Sequence, residues 1–530
     1  MYDYIIVGAG SAGCVLANRL SEDGTSQVLL LEAGKPDKRR EIHIPTGAIR
    51  LLKTEYDWAY ETEPQLHLHN RRLYWPRGKT LGGSSSINAM IYIRGHPRDY
   101  DRWAALGNEG WSFAEVLPYF KRSEDQQRGA SAYHAQGGLL AVSDPRHPNI
   151  LSQAFVHGAM SLGMPYNGDF NGETLAGVGY YQATIKAGQR HSTATAFLKP
   201  ALNRPNLTVI TEAHVTRLQI ADARAIGVEY VRRGRLYQFP ARREVLLCGG
   251  AINSPQLLLL SGIGPAEQLQ ALGLPVVVNL PGVGRNLQDH LLVAITYECS
   301  QPVSMSNVQS LRNLLLYTLW RRGPLTSNGV EAGGFVKIRD ADVPDLQFHA
   351  GPFILQAHGF GPVSPFDRHG FTLSPGLLRP RSVGEITLAS ADPFAPPRIQ
   401  PNYGADPGDL DVLVEGAKLA RAIAQSPAYD PYRGRELTPG PEVVTDADWL
   451  NFVRDSAETI YHPVGTCKMG RDPLAVVDPQ LRVHGIAGLR VVDASIMPEI
   501  IGGNTNAPTI MLAEKAADML RHAAQAPPVA

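Results

Sequence analysis

The stretch YDYIIVGAGSAGCVLANRL, residues 2–20, reads as strand, glycine turn and helix. An apolar run ends at Val7, and Cys14, Val15, Ala17 and Leu20 then recur at helical spacing. Gly8 permits the tight turn, Gly10 lets the backbone approach a pyrophosphate, and Gly13 lets the helix pack closely on the strand. Phosphates would then sit at the helix start beside Ser11, where free N–H groups and the macrodipole favour negative charge. A second apolar run, Val28 to Leu31, ends in Glu32, 19 residues after Gly13. A carboxylate there accepts hydrogen bonds from a ribose diol and repels a 2′-phosphate, which favours the adenosine of NAD or FAD over NADP. The motif alone does not choose between NAD and FAD.

Two later segments read as further pieces of the same sheet. REVLLCGGAINSPQLLLLSGIGP (243–265) runs from strand into helix, with Ser254 as the expected N-cap, Pro255 at the first helical position and Gly262 closing the end. LRVVDAS (489–495) is another strand, ending at Asp493. Between these pieces, short apolar runs such as ITLAS, DLQFHA and GFTLS alternate with Pro/Gly-rich turns, the texture of an antiparallel sheet with a few covering helices.

A chain of 530 residues exceeds one ordinary core, so two or more interleaved domains are expected. Positive and negative residues balance at 50 each, 44% of residues are hydrophobic and the pI is near 7.3, which argues against nucleic acid as a partner. Cys14, Cys248, Cys299 and Cys467 show neither paired nor finger-like spacing, so no disulfide framework or metal site is expected. His67 and His69 read as loop residues rather than ligands. A strand pattern starting at Tyr2 leaves no room for a signal peptide, and no run of about 18 apolar residues is present to span a bilayer. A cytoplasmic protein is therefore expected, with peripheral contact at the inner face of a membrane left open by the apolar, arginine-edged segment LRNLLLYTLWRRGPL (311–325). Oligomeric state is not legible.

RGKTLGGSSSINAMIYIRG (77–95), GAINSPQLLLLSGIG (250–264), YHPVGT (461–466) and GNTNAPT (503–509) join GAGSAG in an order that resembles the glucose-methanol-choline (GMC) oxidoreductases. The resemblance implies an α/β, two-domain protein: a Rossmann-like FAD-binding domain (1–154, 196–289 and 456–525) interleaved with a substrate domain (155–195 and 290–455) on a mostly antiparallel β-sheet with covering helices. Residues 526–530 read as a disordered tail. It further implies FAD contacts at Ala33, Gly82, Gly83, Asn88, Val215, Asp493, Ala494 and Thr505, beside Gly8, Gly10, Ser11, Gly13 and Glu32. Some family members attach FAD covalently through a histidine where this chain has Ile87, so non-covalent FAD is expected.

Hydride leaves an alcohol carbon easily only when a base takes the hydroxyl proton, and histidine titrates in the useful range. By resemblance His462 is that base, with Asn506 expected opposite it as donor to the alkoxide. Pro463 biases His462 toward an extended backbone, restricting where the imidazole points. The overall texture resembles bacterial primary-alcohol dehydrogenases of the family, with a quinone or dye-type electron acceptor. Choline dehydrogenase, sorbose or sugar-alcohol dehydrogenase, an oxygen-using oxidase and a non-redox flavoprotein lyase remain alternatives. Glu331 in SNGVEAGGF corresponds to an acid that choline-oxidising relatives place beside the trimethylammonium group, but as readily caps or ion-pairs within its domain.

Overall fold

A computed structural model describes residues 1–308, 310–339, 342–355 and 368–525; the expected tail at 526–530 lies outside the described residues. Two sheets organise the chain. In the first, strands Leu207–Ile210, Val28–Leu31, Tyr2–Val7, the end of Arg235–Leu247 and Leu489–Val491 run parallel in that order. The central strands are buried throughout, as Ile5, Ile6, Leu29, Leu30, Val245 and Leu246 show, which is the pattern of a parallel sheet covered on both faces. Arg235–Leu247 is shared: its first half pairs antiparallel with Arg224–Arg232, which pairs in turn with His214–Ala221.

Helix Ser11–Leu20 packs against the C-terminal helix Asn506–Gln525, and Arg19 makes two hydrogen bonds to the buried Glu514 across that contact. The helix after Leu247 starts at Gly250 and ends at Leu260. Ser254 and Pro255 therefore lie inside it, and the expected N-cap role for Ser254 is corrected. The Ser254 hydroxyl instead accepts from the Gly249 N–H and donates to Asp493. Gly262 follows the helix with φ +81°, the left-handed conformation that suits a terminating glycine.

The second sheet has the order Arg433–Thr438, Ile295–Cys299, Gly370–Leu377, Leu346–Gly351, Ala332–Val336 and Gly177–Tyr180, every pair antiparallel. Helix Pro407–Ala424 covers it with Leu410, Leu413, Ala417 and Ile423, all at most 2% exposed. Strand Glu458–Thr459 pairs with Leu291–Leu292 of this second sheet, so the chain leading to His462 comes from that sheet, past residue 455. Helix Ile150–Ser161 packs in the same core, which begins that region before residue 155.

Candidate active site and cofactor cleft

A cavity of about 530 Å³ runs between the two sheets, within the range of small-molecule and cofactor sites. One end is built by the first strand–turn–helix. A Cβ on Gly8 would lie 2.5 Å from the Cys248 carbonyl oxygen, and one on Gly13 would lie 1.9 Å from that of Gly8. Both positions therefore exclude any side chain. Gly10, Ser11 and Ala12 face the cavity where helix Ser11–Leu20 begins, and no side chain caps that end. Gly83, at φ +50°, comes so close to Gly10 that a Cβ would approach its Cα at 2.7 Å, and the two loops form one wall.

Glu32 and Ala33 line the adjoining section. The Glu32 carboxylate accepts from the N–H groups of Ala9 and Gly34, both at 2.8 Å, and burial pushes it up to about 7. Val215, Asp493, Ala494, Thr505 and Asn88 also line the cavity. Asp493 accepts from the Gly250 and Ser495 N–H groups and the Ser254 hydroxyl. Asn88 Oδ1 accepts from the Met90 N–H and from the buried Arg190, leaving its Nδ2 donor for a ligand. Gly13 and Gly82 are not on the cavity surface; they shape the turns behind it, Gly82 at φ +85°. The uncapped helix start, the buried acid after strand Val28–Leu31 and the glycine wall fit the donor set and shape that FAD requires.

At the other end His462 is buried, and its position is fixed from several sides. Its N–H donates to Asp289 (2.7 Å), and segments 286–290 and 462–466 are tied by paired backbone bonds between Gln288 and Val464. Tyr461 before it sits at φ +68°, a conformation costing a non-glycine residue about 1–3 kcal/mol. Its carbonyl is held by Arg77 (2.6 Å) and its N–H by Thr459 (2.8 Å). Asp289 also accepts from Tyr403 and Thr459, and burial raises it to about 6.

The ring of His462 has a partner on each nitrogen. Nδ1 lies 3.0 Å from Nδ1 of His290, whose Nε2 lies 3.1 Å from the Leu378 carbonyl oxygen. A carbonyl only accepts, so His290 carries its proton on Nε2; its Nδ1 is then an acceptor, and His462 must carry its own proton on Nδ1. His462 Nε2 then carries the ring's unprotonated lone pair, which accepts from Asn504 Nδ2 at 3.2 Å. Burial, followed by the nearby His290, His349 and Arg77, holds His462 well below its ordinary value, and burial takes His290 down to about 3. Both rings are neutral at pH 7.

The asparagine against His462 is thus Asn504, and the expectation that placed Asn506 there is corrected. Asn506 opens the C-terminal helix and turns its Oδ1 to the Ser11 hydroxyl (2.7 Å), on the cofactor side of the cavity. Asn504 stands in the turn before that helix, its Oδ1 held by Gln347 (3.1 Å). Glu331 is also relocated. It is absent from the described cavity lining, 3% exposed, and accepts from Ser327, the Asn149 N–H and Ser152. Those donors engage both carboxylate oxygens in joining the start of strand Ala332–Val336 to helix Ile150–Ser161.

His349 was not singled out by sequence. It lines the cavity, is 9% exposed, and neither ring nitrogen has a partner among the described residues. Burial lowers it to about 4, so it is neutral as well. The signal was present: in LQFHA, Gln347 and His349 alternate with apolar Leu346, Phe348 and Ala350, giving a strand one polar face. No group of three metal-ligating side chains occurs among the described residues.

GMC oxidoreductase N-terminal and C-terminal family signatures match residues 2–292 and 380–513. An alcohol dehydrogenase [acceptor] of Pseudomonas putida is 49% identical, over 98% of this chain and 96% of its own. An oxygen-dependent choline dehydrogenase of Paraburkholderia xenovorans is 48% identical, over 98% and 94%. Among solved structures, pyridoxine 4-oxidase from Mesorbium loti superposes with a TM-score of 0.89 at 34% identity, covering 98% of this chain and 99% of that one. Formate oxidase of Aspergillus oryzae gives 0.92 at 30%, covering 98% of each chain. With a glycine-walled nucleotide cleft at one end of the cavity, a buried neutral histidine at the other and similarity along nearly the whole chain, the protein belongs to the GMC oxidoreductases.

Proposed function

We propose that the protein oxidises a primary alcohol to the aldehyde with FAD as its bound cofactor and passes the electrons to a quinone or dye-type acceptor. The observation that carries this reading is the unprotonated Nε2 of His462, held ready by the His290–Leu378 relay in a cavity continuous with the nucleotide cleft. FAD, when bound, supplies the acceptor for the hydride that leaves the alcohol carbon.

The chain supplies the rest. His462 Nε2 takes the hydroxyl proton, and its Nδ1–H bond to His290 strengthens as the ring becomes positive. Asn504 Nδ2, with its Oδ1 fixed by Gln347, passes its hydrogen bond from His462 Nε2 to the developing alkoxide as the substrate oxygen comes between them. Gly8, Gly10, Ser11, Glu32, Asn88, Val215, Asp493, Ala494, Thr505 and Asn506 hold the cofactor, with Gly13, Gly82, Gly83 and Ala33 shaping its channel.

An uncharged alcohol is favoured over choline because Glu331, the acid expected to face a trimethylammonium group, is already engaged by three donors off the cavity. The experiment is steady-state turnover on butanol, hexanol, benzyl alcohol and choline with a soluble quinone or with oxygen. The reading requires at least one uncharged alcohol to exceed choline in kcat/KM and the quinone to outpace oxygen. A clear preference for choline overturns the substrate assignment, and equal rates with oxygen overturn the acceptor.

A further inference from the structure

We propose that helix Leu311–Trp320 docks the protein on the surface of an anionic lipid bilayer. An amphipathic helix normally turns its apolar stripe toward the core. Here the inward side chain is Tyr317, while Leu311, Leu314, Leu315, Leu319 and Trp320 are 47–71% exposed. Positions 311, 314, 315 and 319 form one stripe, with Trp320 at its end. The helix is fixed in place: Ser310 caps its start, Arg321 closes it at φ +52°, and the Arg321 carbonyl accepts from Arg146 (2.7 Å).

Charge selects the occupant. Residues 310–325 contain no Asp or Glu, while Arg312, Arg321 and Arg322 flank the stripe and Arg146 joins them. Apolar side chains with a terminal tryptophan and a basic rim fit the boundary between anionic headgroups and acyl chains, where each arginine adds attraction. The ten-residue helix lies in that plane; no helix among the described residues is long and apolar enough to cross a membrane.

The position gives docking a use. Tyr317 packs with Met305, Val308 and Leu325, and Met305 lines the cavity. The inner side of the docked helix is therefore joined to the cavity wall through Tyr317 and Met305, and a lipophilic alcohol or quinone dissolved in the bilayer is brought to the same side of the molecule as the site. This inference does not depend on which alcohol is oxidised, because binding to vesicles is read without turnover.

The test is sedimentation of the flavin-loaded protein with phosphatidylcholine vesicles, with and without phosphatidylglycerol, beside the doubly substituted Leu319→Glu, Trp320→Ala protein. Wild type is expected to sediment with the anionic vesicles. The double variant is expected to partition at least tenfold less, with flavin content and turnover on a soluble dye unchanged. Arg321→Gln and Arg322→Gln are each expected to weaken binding roughly fivefold. Wild type remaining in the supernatant with both vesicle types overturns the proposal, as does undiminished sedimentation of the double variant. A dimer in light scattering that the double variant dissolves, without vesicle binding by wild type, overturns it in favour of a second copy of the chain.

Discussion

Replacing His290 by leucine tests the relay behind the proposed base. In the structure the Nδ1–H of neutral His462 donates to a neutral imidazole 3.0 Å away. When His462 takes the substrate proton, the same bond has a charged donor. A neutral bond contributes about 0.5–1.5 kcal/mol net and one to a charged group about 1.5–3, so the relay stabilises the charged ring by about 1–2 kcal/mol more than the neutral one. That difference arises only as the reaction proceeds and corresponds to a roughly 5- to 30-fold slower chemical step with little change in substrate affinity. The assay is stopped-flow bleaching of the bound flavin by alcohol without oxygen, with the rate constant and the apparent Kd fitted separately. His290→Gln is expected to recover part of the rate, because its Oε1 can accept from His462 while its Nε2 donates to Leu378. A leucine variant that keeps its flavin and reacts at the wild-type rate refutes the relay, and so does a loss confined to apparent Kd.

Asn504→Ala is expected to slow bleaching by about 10²–10³-fold while flavin stays bound, the scale for losing one oxyanion donor; Asn506→Ala is expected to weaken flavin retention more than chemistry, and the reverse pattern contradicts the assignment. Because burial and its neighbours depress His462 far below 6.5, the base stays neutral as pH falls, so the bleaching rate should be flat from about pH 8 to 6.5 and decline only below that. An inflection at neutral pH contradicts this. With Ile87 in place of a linking histidine, acid precipitation should release the flavin into the supernatant, where absorbance measures it.

The nucleotide half was legible because its constraints are local. Gly8 and Gly13 sit where any Cβ would strike backbone, and Glu32 ends a strand whose register fixes its distance from them. The antiparallel half was legible only as texture, since its neighbours, such as Gly177–Tyr180 and Ala332–Val336, come from distant parts of the chain. Asn504 and Asn506 are two residues apart in GNTNAP, and which one meets His462 depends on where the C-terminal helix starts, a boundary that sequence places poorly. Glu331 illustrates a different limit: its three donors lie at 149, 152 and 327, and no spacing in the sequence announces that a buried acid is already satisfied. His290 could not be read as a relay before the bridge between residues 288 and 464 brought it to His462.

The most direct measurement is anaerobic mixing of flavin-loaded wild type and His462→Ala with a primary alcohol, following the oxidised flavin absorbance. The account predicts complete bleaching of wild type and a rate at least 10²-fold lower in the variant with its flavin still bound, the usual contribution of a general base. Near-normal bleaching of the variant, or a wild type that no alcohol bleaches, would contradict it.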